Sequence, residues 1–506
     1  MLARIYSGTT IGLDSILVEV EVDVSSRSLP AFNIVGLPNK AVEESKERVR
    51  SAIKNSGGNF PDHRITVNLA PADIPKEGPS YDLPIALGLL IADGQLKAQD
   101  IDGLVLGELS LDGTLRHTNG VLPMALLARE KFGKIFVPSD DLTEALLVKD
   151  LQVYPVKSLK ELFNHFSDIQ KIIPQVRTNN LDGVFDTEAE YDMSEIKGQE
   201  QAKRALEIAA AGGHNVLMKG TPGSGKTMLA RALPGILPKL TENEILEVTK
   251  IYSISGNLTT KESVVKFRPF RSPHHSTSRN GLIGGGTKPA PGEISLAHRG
   301  VLFLDELPEF PRHVLESLRQ PLEDGRVTIS RAAGTVSYPS KFILIAASNP
   351  CPCGYLGDEK RQCRCLSGQV IKYQRRLSGP LLDRIDMHVD VPTVDFEKLT
   401  GNSTSDTSLI IRNRVQKARD IQNERYRDYP ITCNAELNTK LIKQFCELNE
   451  QCQELLKTAV LKLNLSARSY YRTIKLGRTI ADLALKENIE ASHIAEALMY
   501  RPKIED

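Results

Sequence analysis

Gly220-Thr221-Pro222-Gly223-Ser224-Gly225-Lys226-Thr227 is the stretch that decides how this chain folds. It fits G-x-x-x-x-G-K-[ST], in which glycines let backbone N–H groups close around phosphates. The apolar run His214-Asn215-Val216-Leu217-Met218-Lys219 precedes it as a strand, and Met228-Leu229-Ala230-Arg231-Ala232-Leu233 follows with helical composition. The helix adds its positive dipole end to the loop. In this pattern Lys226 reaches the β- and γ-phosphates, and the Thr227 hydroxyl binds Mg²⁺. ATP and Mg²⁺ are the expected ligands. The second half of the site is Gly300-Val301-Leu302-Phe303-Leu304-Asp305-Glu306, a buried strand ending in two carboxylates. Open α/β sheets bind ligands at that end of their strands. Asp305 is expected to hold Mg²⁺, directly or through water, and Glu306 to polarise the water that attacks the γ-phosphate.

Around this motif the chain has 506 residues, enough for about three domains. Hydrophobic residues make up 41% and charged residues 25%, an ordinary globular balance. The net charge of +1 excludes a chain that is polybasic throughout, so any nucleic-acid contact has to come from a local basic feature. Tryptophan is absent and aromatics are 5%, which argues against base stacking as the main mode of binding. Met1-Leu2-Ala3-Arg4-Ile5-Tyr6-Ser7 lacks the apolar core of a signal peptide. The most apolar run, Leu83 to Ala92, is too short to span a bilayer. A soluble cytoplasmic protein with no membrane contact is expected. Of seven cysteines four are clustered, which suits a metal or reduced thiols rather than a disulfide frame.

In chain order, residues 1–168 alternate strands and helices. Ile16 to Val22 and Ile65 to Leu69 alternate with period two, Lys40 to Asn55 reads as an amphipathic helix, Leu83 to Ile91 as a buried helix, and Leu104 to Leu109 as a buried strand. Residues 169–192 read as a polar linker. Residues 193–395 hold the nucleotide module, including the helix Gln201 to Ala210 and the buried strand Phe342 to Asn349. Phe267 to His275 leads into Gly281 to Gly286, a glycine-rich loop; His274 and His275 are adjacent and no neighbouring carboxylate in sequence completes a metal set. Arg326 to Pro339 reads as a β-hairpin whose small-residue tip carries Arg331. Cys351-Pro352-Cys353-Gly354 and Cys363-Arg364-Cys365 supply four thiols. Two readings stand, structural Zn²⁺ with Lys360, Arg361 and Arg364 offsetting charge, or free thiols; the C-x-C spacing is tighter than usual for zinc. Residues 396–506 read as helical.

Pro75-Lys76-Glu77-Gly78-Pro79-Ser80-Tyr81-Asp82-Leu83, with Gly107-Glu108-Leu109-Ser110-Leu111-Asp112-Gly113 after it, resembles the C-terminal domain of Lon protease, an α+β fold similar to the second domain of ribosomal protein S5. Ser80 matches the Lon nucleophile. Asn119 to Leu126 has no lysine where the family places its base, so a fold without peptidase activity is expected, with Ser80 in a turn or helix cap. The nucleotide module looks like an AAA+ core with a parallel sheet and a C-terminal helical lid. On that resemblance Asn349 is the first sensor at the γ-phosphate, and Arg384, in Leu381-Leu382-Asp383-Arg384, is a finger pointing at a neighbouring subunit's nucleotide. A salt bridge to Asp383 or Asp386 is the other role open to Arg384. Arg468 sits where the second sensor should be, with Arg472 one turn on as the fallback.

Nearly all of the chain is similar to the YifB/ComM subfamily of magnesium-chelatase-like AAA+ ATPases. The carriers are the Lon-like segment, Gly220 to Thr227, Pro291 to Gly300 running into Asp305-Glu306, the cysteine cluster and Leu381 to Arg384. The resemblance implies a homo-hexameric ring. For the ComM type it implies a DNA helicase driving branch migration during recombination in natural transformation, with the Arg331 hairpin projecting into the pore toward single-stranded or branched DNA. The alternative is a magnesium-chelatase-type ATPase that remodels a protein partner or aids metal insertion without acting on DNA.

Overall fold

The computed structural model describes residues 2–25, 29–97, 101–177, 189–258, 263–286, 289–331, 334–358, 361–394 and 405–502. Lys360, the middle of the sequence-read linker and the boundary at 395 and 396 fall outside these. The chain forms two compact units, Met1–Gly183 with Glu242–Val265, and Val184–Thr241 with Lys266–Asp506. The 193–395 stretch therefore contributes residues 242–265, with the helix Glu242–Ser255, to the first unit.

The first unit is built on a seven-stranded mixed sheet in the order Ala31–Val35, Arg64–Ala70, Asp14–Ser25, Leu2–Ile11, Leu104–Val105, Lys134–Pro138, Gln152–Val156. Val18, Val20 and Val22 are buried, and the acidic residues between them face outward, as a half-buried strand requires. The helix Asp82–Ala92 is buried along its whole length. Gly88 lets it approach the sheet: a Cβ there would lie 2.5 Å from Val22 Cγ2. The helix expected over Lys40 to Asn55 is two pieces, Lys40–Glu43 and Ser45–Asn55, the first capped by Asn39 Oδ1 at 3.0 Å from the Val42 nitrogen. The strand expected over Leu104 to Leu109 is also divided, because Gly107 turns to bond Ser80 and Leu83 through its backbone at 3.0 and 3.1 Å. Ser80 itself lies in the short turn Pro79–Tyr81. Its neighbour Asp82 is the buried group: it accepts from Ser45 Oγ, from Arg48 Nε at 2.6 Å and from the Leu109 nitrogen at 3.2 Å.

The second unit carries a five-stranded sheet, every neighbour parallel, in the order Phe270–Arg271, Val301–Leu304, Ile343–Ser348, Val216–Lys219, Met387–Asp390. The inner strands are buried on both faces, which is why they read as unbroken apolar runs. This arrangement, with a helical C-terminal region, is consistent with an AAA+ type fold. The C-terminal helices are Ser408–Arg425, Thr439–Phe445, Glu450–Lys462, Ala467–Leu483 and Ala491–Met499. They are tied to the sheet layer through a buried polar frame. Asp482 accepts Arg425 Nη2 at 2.6 Å and Asn434 Nδ2 at 2.8 Å, and His214 meets Thr479 Oγ1 at 2.8 Å. Among the described residues no helix is long and apolar enough to cross a membrane.

Candidate active site

The phosphate loop leaves the strand Val216–Lys219 and enters the helix Lys226–Ala232. Gly223 and Gly225 have φ of +78° and +92°, a region that side chains rarely adopt. Gly220 is needed for space, since a Cβ there would sit 2.2 Å from the Val391 carbonyl oxygen. Lys226 folds back across its own loop and donates to the Gly220 and Thr221 carbonyls, both at 2.8 Å. Burial pulls its pKa below the ordinary lysine value, with the charges of Asp305 and Glu306 acting against that pull.

Two of the sequence-read groups, Asp305 and Asn349, meet Thr227 and Lys226 at this loop. Thr227 Oγ1 donates to Asp305 Oδ2 at 2.8 Å. Lys226 Nζ lies 3.4 Å from Asn349 Oδ1. The loop is fixed beside Asn349 because the Gly220 nitrogen donates to the Ser348 carbonyl at 3.1 Å. A hydroxyl and a carboxylate in direct contact at the start of the loop helix form a hard-oxygen pair suited to Mg²⁺. Glu306 follows Asp305 in a left-handed conformation, φ +50°, and its nitrogen donates to Asp305 Oδ1 at 2.9 Å. That turn separates the two carboxylates, one toward Thr227 and one outward.

The outward carboxylate has a neighbour that sequence reasoning missed. His275 Nδ1 is 3.6 Å from Glu306 Oε2, and the His275 ring lies 4.0 Å from that of His274 and edge-on to Phe310. In sequence the histidine pair stood alone, because the carboxylate reaches it only through the pairing of Phe270–Arg271 with Val301–Leu304. The following glycines are also more ordered than a simple loop: Arg279–Ile283 is helical, and Gly284–Gly285 pairs with Ala290–Pro291.

The arginines group elsewhere. Arg384 donates to Pro380 O at 2.7 Å and to Glu323 Oε2; Arg468 donates to Glu323 Oε1 at 2.7 Å. One carboxylate thus holds both, and neither Asp383 nor Asp386 is the partner of Arg384. Asp386 pairs instead with Arg472 at 3.0 Å and accepts the Asn215 nitrogen at 3.0 Å. Burial opposes ionisation of Asp386, but Arg472 and His214 outweigh it and hold its carboxyl well below the usual range. Arg472, itself partly exposed, is thereby committed to an ion pair with a buried carboxylate. Arg331 ends the strand Arg326–Arg331, opposite Gly334 in a hairpin whose base is fixed by buried Val327, Ile329 and Tyr338. The tip, residues 332 and 333, and the Arg331 side chain lie outside what is described.

The four clustered cysteines come together. Their sulfurs all lie within 4.8 Å of one another, with Cys351–Cys353 at 3.4 Å, Cys353–Cys363 at 3.6 Å and Cys351–Cys363 at 3.7 Å. Cys351 is two residues beyond Asn349, so the cluster adjoins the candidate site along the chain.

Comparison with known proteins covers nearly every part of this arrangement. The family model "Magnesium chelatase, subunit ChlI" matches residues 192–399, "Subunit ChlI of Mg-chelatase" matches 20–141, and "Magnesium chelatase, subunit ChlI C-terminal" matches 405–501. The chain is 44% identical over 508 residues to the competence protein ComM of Haemophilus influenzae, covering 99% of this chain and 98% of that one. It is 42% identical over 506 residues to the YifB protein of Escherichia coli, covering 99% and 97%. It is 27% identical over 259 residues to the magnesium-chelatase 67 kDa subunit of Heliobacterium mobile, covering 45% of this chain and 38% of that one.

Proposed function

The chain belongs to the YifB/ComM subfamily of magnesium-chelatase-like ATPases, and from that membership we propose that it is a cytoplasmic, ATP-hydrolysing ring motor that moves DNA, in the manner of a branch-migration helicase in recombination and natural transformation. The observation that carries the ATPase reading is the convergence of Lys226, Thr227, Asp305 and Asn349 on one loop. Lys226 neutralises the β- and γ-phosphates. Thr227 and Asp305 hold Mg²⁺, which when bound draws charge off the transferring phosphoryl group. Glu306 takes the proton of the attacking water, oriented by His275. Asn349 positions that water or the γ-phosphate.

Arg384 is the arginine that completes the nucleotide site of a neighbouring subunit, and Arg468, held by the same Glu323 carboxylate, is the second sensor. A guanidinium in trans stabilises charge at the transition state and makes hydrolysis depend on assembly, here a homo-hexamer. The hairpin ending at Arg331 is the proposed contact with the DNA backbone. The first unit acts without peptidase activity. The full-length similarity to ComM, against partial similarity to a chelatase subunit, favours DNA over metal insertion.

The test is ATP hydrolysis by the purified chain alone, with single-stranded DNA and with a four-way junction, using Lys226→Ala as the blank. Stimulation by DNA that the variant loses supports the proposal. Hydrolysis indifferent to DNA overturns it in favour of a protein-remodelling or metal-insertion ATPase.

A further inference from the structure

We propose that Cys351, Cys353, Cys363 and Cys365 bind a single Zn²⁺ as thiolates, and that the closed site braces the phosphate loop of the adjoining nucleotide site. The metal part stands on sulfur geometry. A tetrahedral zinc with bonds of about 2.3 Å places its sulfurs about 3.8 Å apart. The separations of 3.4, 3.6 and 3.7 Å among Cys351, Cys353 and Cys363 are close to that edge length, and Cys365 completes the set within 4.8 Å. Four sulfurs this close surround one ion.

The backbone is shaped for the same purpose. The Gly354 nitrogen donates to the Cys351 carbonyl at 3.0 Å, and Gly354 has φ +85°, so Cys351-Pro352-Cys353-Gly354 is a tight turn presenting two sulfurs to one side. The Cys365 nitrogen donates to the Cys363 sulfur at 3.5 Å. N–H groups aimed at sulfur stabilise thiolates and orient them, as outer-shell contacts do at metal sites. Zinc with four thiolates carries two negative charges, and Arg361 and Arg364 lie in the loop that closes the set. Arg361 is itself held by Tyr355 Oη at 2.8 Å and through its nitrogen by Asp358 at 2.7 Å.

The bracing rests on where this turn sits. A Cβ on Gly354 would lie 2.6 Å from both Cγ and Cδ of Pro222, the third residue of the phosphate loop. The turn therefore packs directly on the loop, with no room for a side chain between them. At its other end, Asn349 precedes Cys351 by one proline and reaches Lys226. Metal closure fixes both the wall behind Pro222 and the residue that meets Lys226.

The experiment uses full-length protein prepared without chelator. Metal content is measured by mass spectrometry, and affinity for a fluorescent ATP analogue is measured separately, so neither readout needs DNA or hydrolysis. The expected result is about one zinc per chain, lost in Cys363→Ser/Cys365→Ser and kept in Cys365→His, since imidazole replaces thiolate as a zinc ligand. Nucleotide affinity falls by about tenfold in the double variant, as a positioned loop loses support, and returns in the histidine variant, with circular dichroism unchanged in both. A native chain without stoichiometric zinc, or with iron in its place, overturns the metal assignment. Zinc loss with unchanged nucleotide affinity overturns the bracing.

Discussion

Arg468 donates a hydrogen bond to Glu323 Oε1 at 2.7 Å, and the other oxygen of that carboxylate is taken by Arg384. The two arginines come from parts of the chain far apart in sequence, and a helix residue with no motif of its own sets their spacing.

That spacing gives a prediction in which activity and stability part company. Glu323 is about half exposed, so breaking its ion pairs alters stability by less than about 1 kcal/mol. Glu323→Gln should nevertheless lower kcat for ATP by roughly tenfold or more, with nucleotide affinity retained, because the arginines lose their common anchor. Steady-state kinetics beside a urea titration reads both quantities. A parallel loss of stability and activity would mean that Glu323 only supports the fold.

If Arg384 completes a neighbour's site, activity is shared between subunits. Lys226→Ala and Arg384→Ala should each be nearly inactive alone. Mixing them should restore a measurable fraction of hydrolysis, since some interfaces then pair an intact phosphate loop with an intact arginine. No recovery on mixing would place Arg384 in its own subunit's site or outside catalysis.

Glu306→Gln should bind ATP as the native chain does and hydrolyse it about 10² to 10⁴ times more slowly, the usual range for losing a general base. His275→Ala should reduce kcat less, because His275 acts through Glu306 from 3.6 Å. In Glu306→Gln the histidine substitution should then have little further effect. Additive losses in the double variant would show that His275 acts by another route.

A pH-dependent prediction concerns the first unit. Burial pushes the Glu144 carboxyl up to about 7, against hydrogen bonds from Ser253 Oγ at 2.5 Å and from the Leu122 nitrogen at 2.7 Å. The folded form holds this proton more tightly than the unfolded chain, so stability falls as pH rises from about 4.5 to 7. Glu144→Gln keeps an acceptor for both donors and cannot ionise. It should stabilise this unit at pH 8, by up to about 3 kcal/mol, and change its stability little at pH 4, as thermal unfolding at the two pH values reads out. Equal effects at both pH values would contradict the buried ionisation.

In the second unit, Asp386→Ala should cost about 3 to 5 kcal/mol, because it strands Arg472 and the Asn215 N–H in a buried site. The Asp386 carboxyl is depressed in the fold, so its contribution is complete above about pH 4 and is lost as pH falls below that. Chemical denaturation at pH 7 and pH 3 distinguishes this from a loss that is independent of pH.

Much of the second unit is legible in the sequence. Strands covered on both faces read as apolar runs, and a strand ending in Asp305-Glu306 needs only one end of the sheet to place it beside Lys226. Asn349 and Thr227 are legible for the same reason, since each is defined by its strand or helix end. Glu323 is not, because its meaning comes from residues 61 and 145 positions away. Nor is the role of Arg472, whose partner Asp386 stands closer in sequence to Arg384. The helix Glu242–Ser255 reads as part of the nucleotide module because it follows it in sequence, and only its buried contacts, Ser253 to Glu144 among them, assign it to the first unit. The cysteines are ambiguous at C-x-C spacing, and the positive φ of Gly354 is what turns the first pair toward the second.

Whether this chain moves DNA is decided by following a labelled four-way junction incubated with the native chain, ATP and Mg²⁺. A DNA-moving motor converts the junction to branch-migrated duplexes, and the conversion is absent without ATP and absent with Lys226→Ala. A junction left unmoved by a preparation that hydrolyses ATP at the same rate with and without DNA would contradict the proposed function.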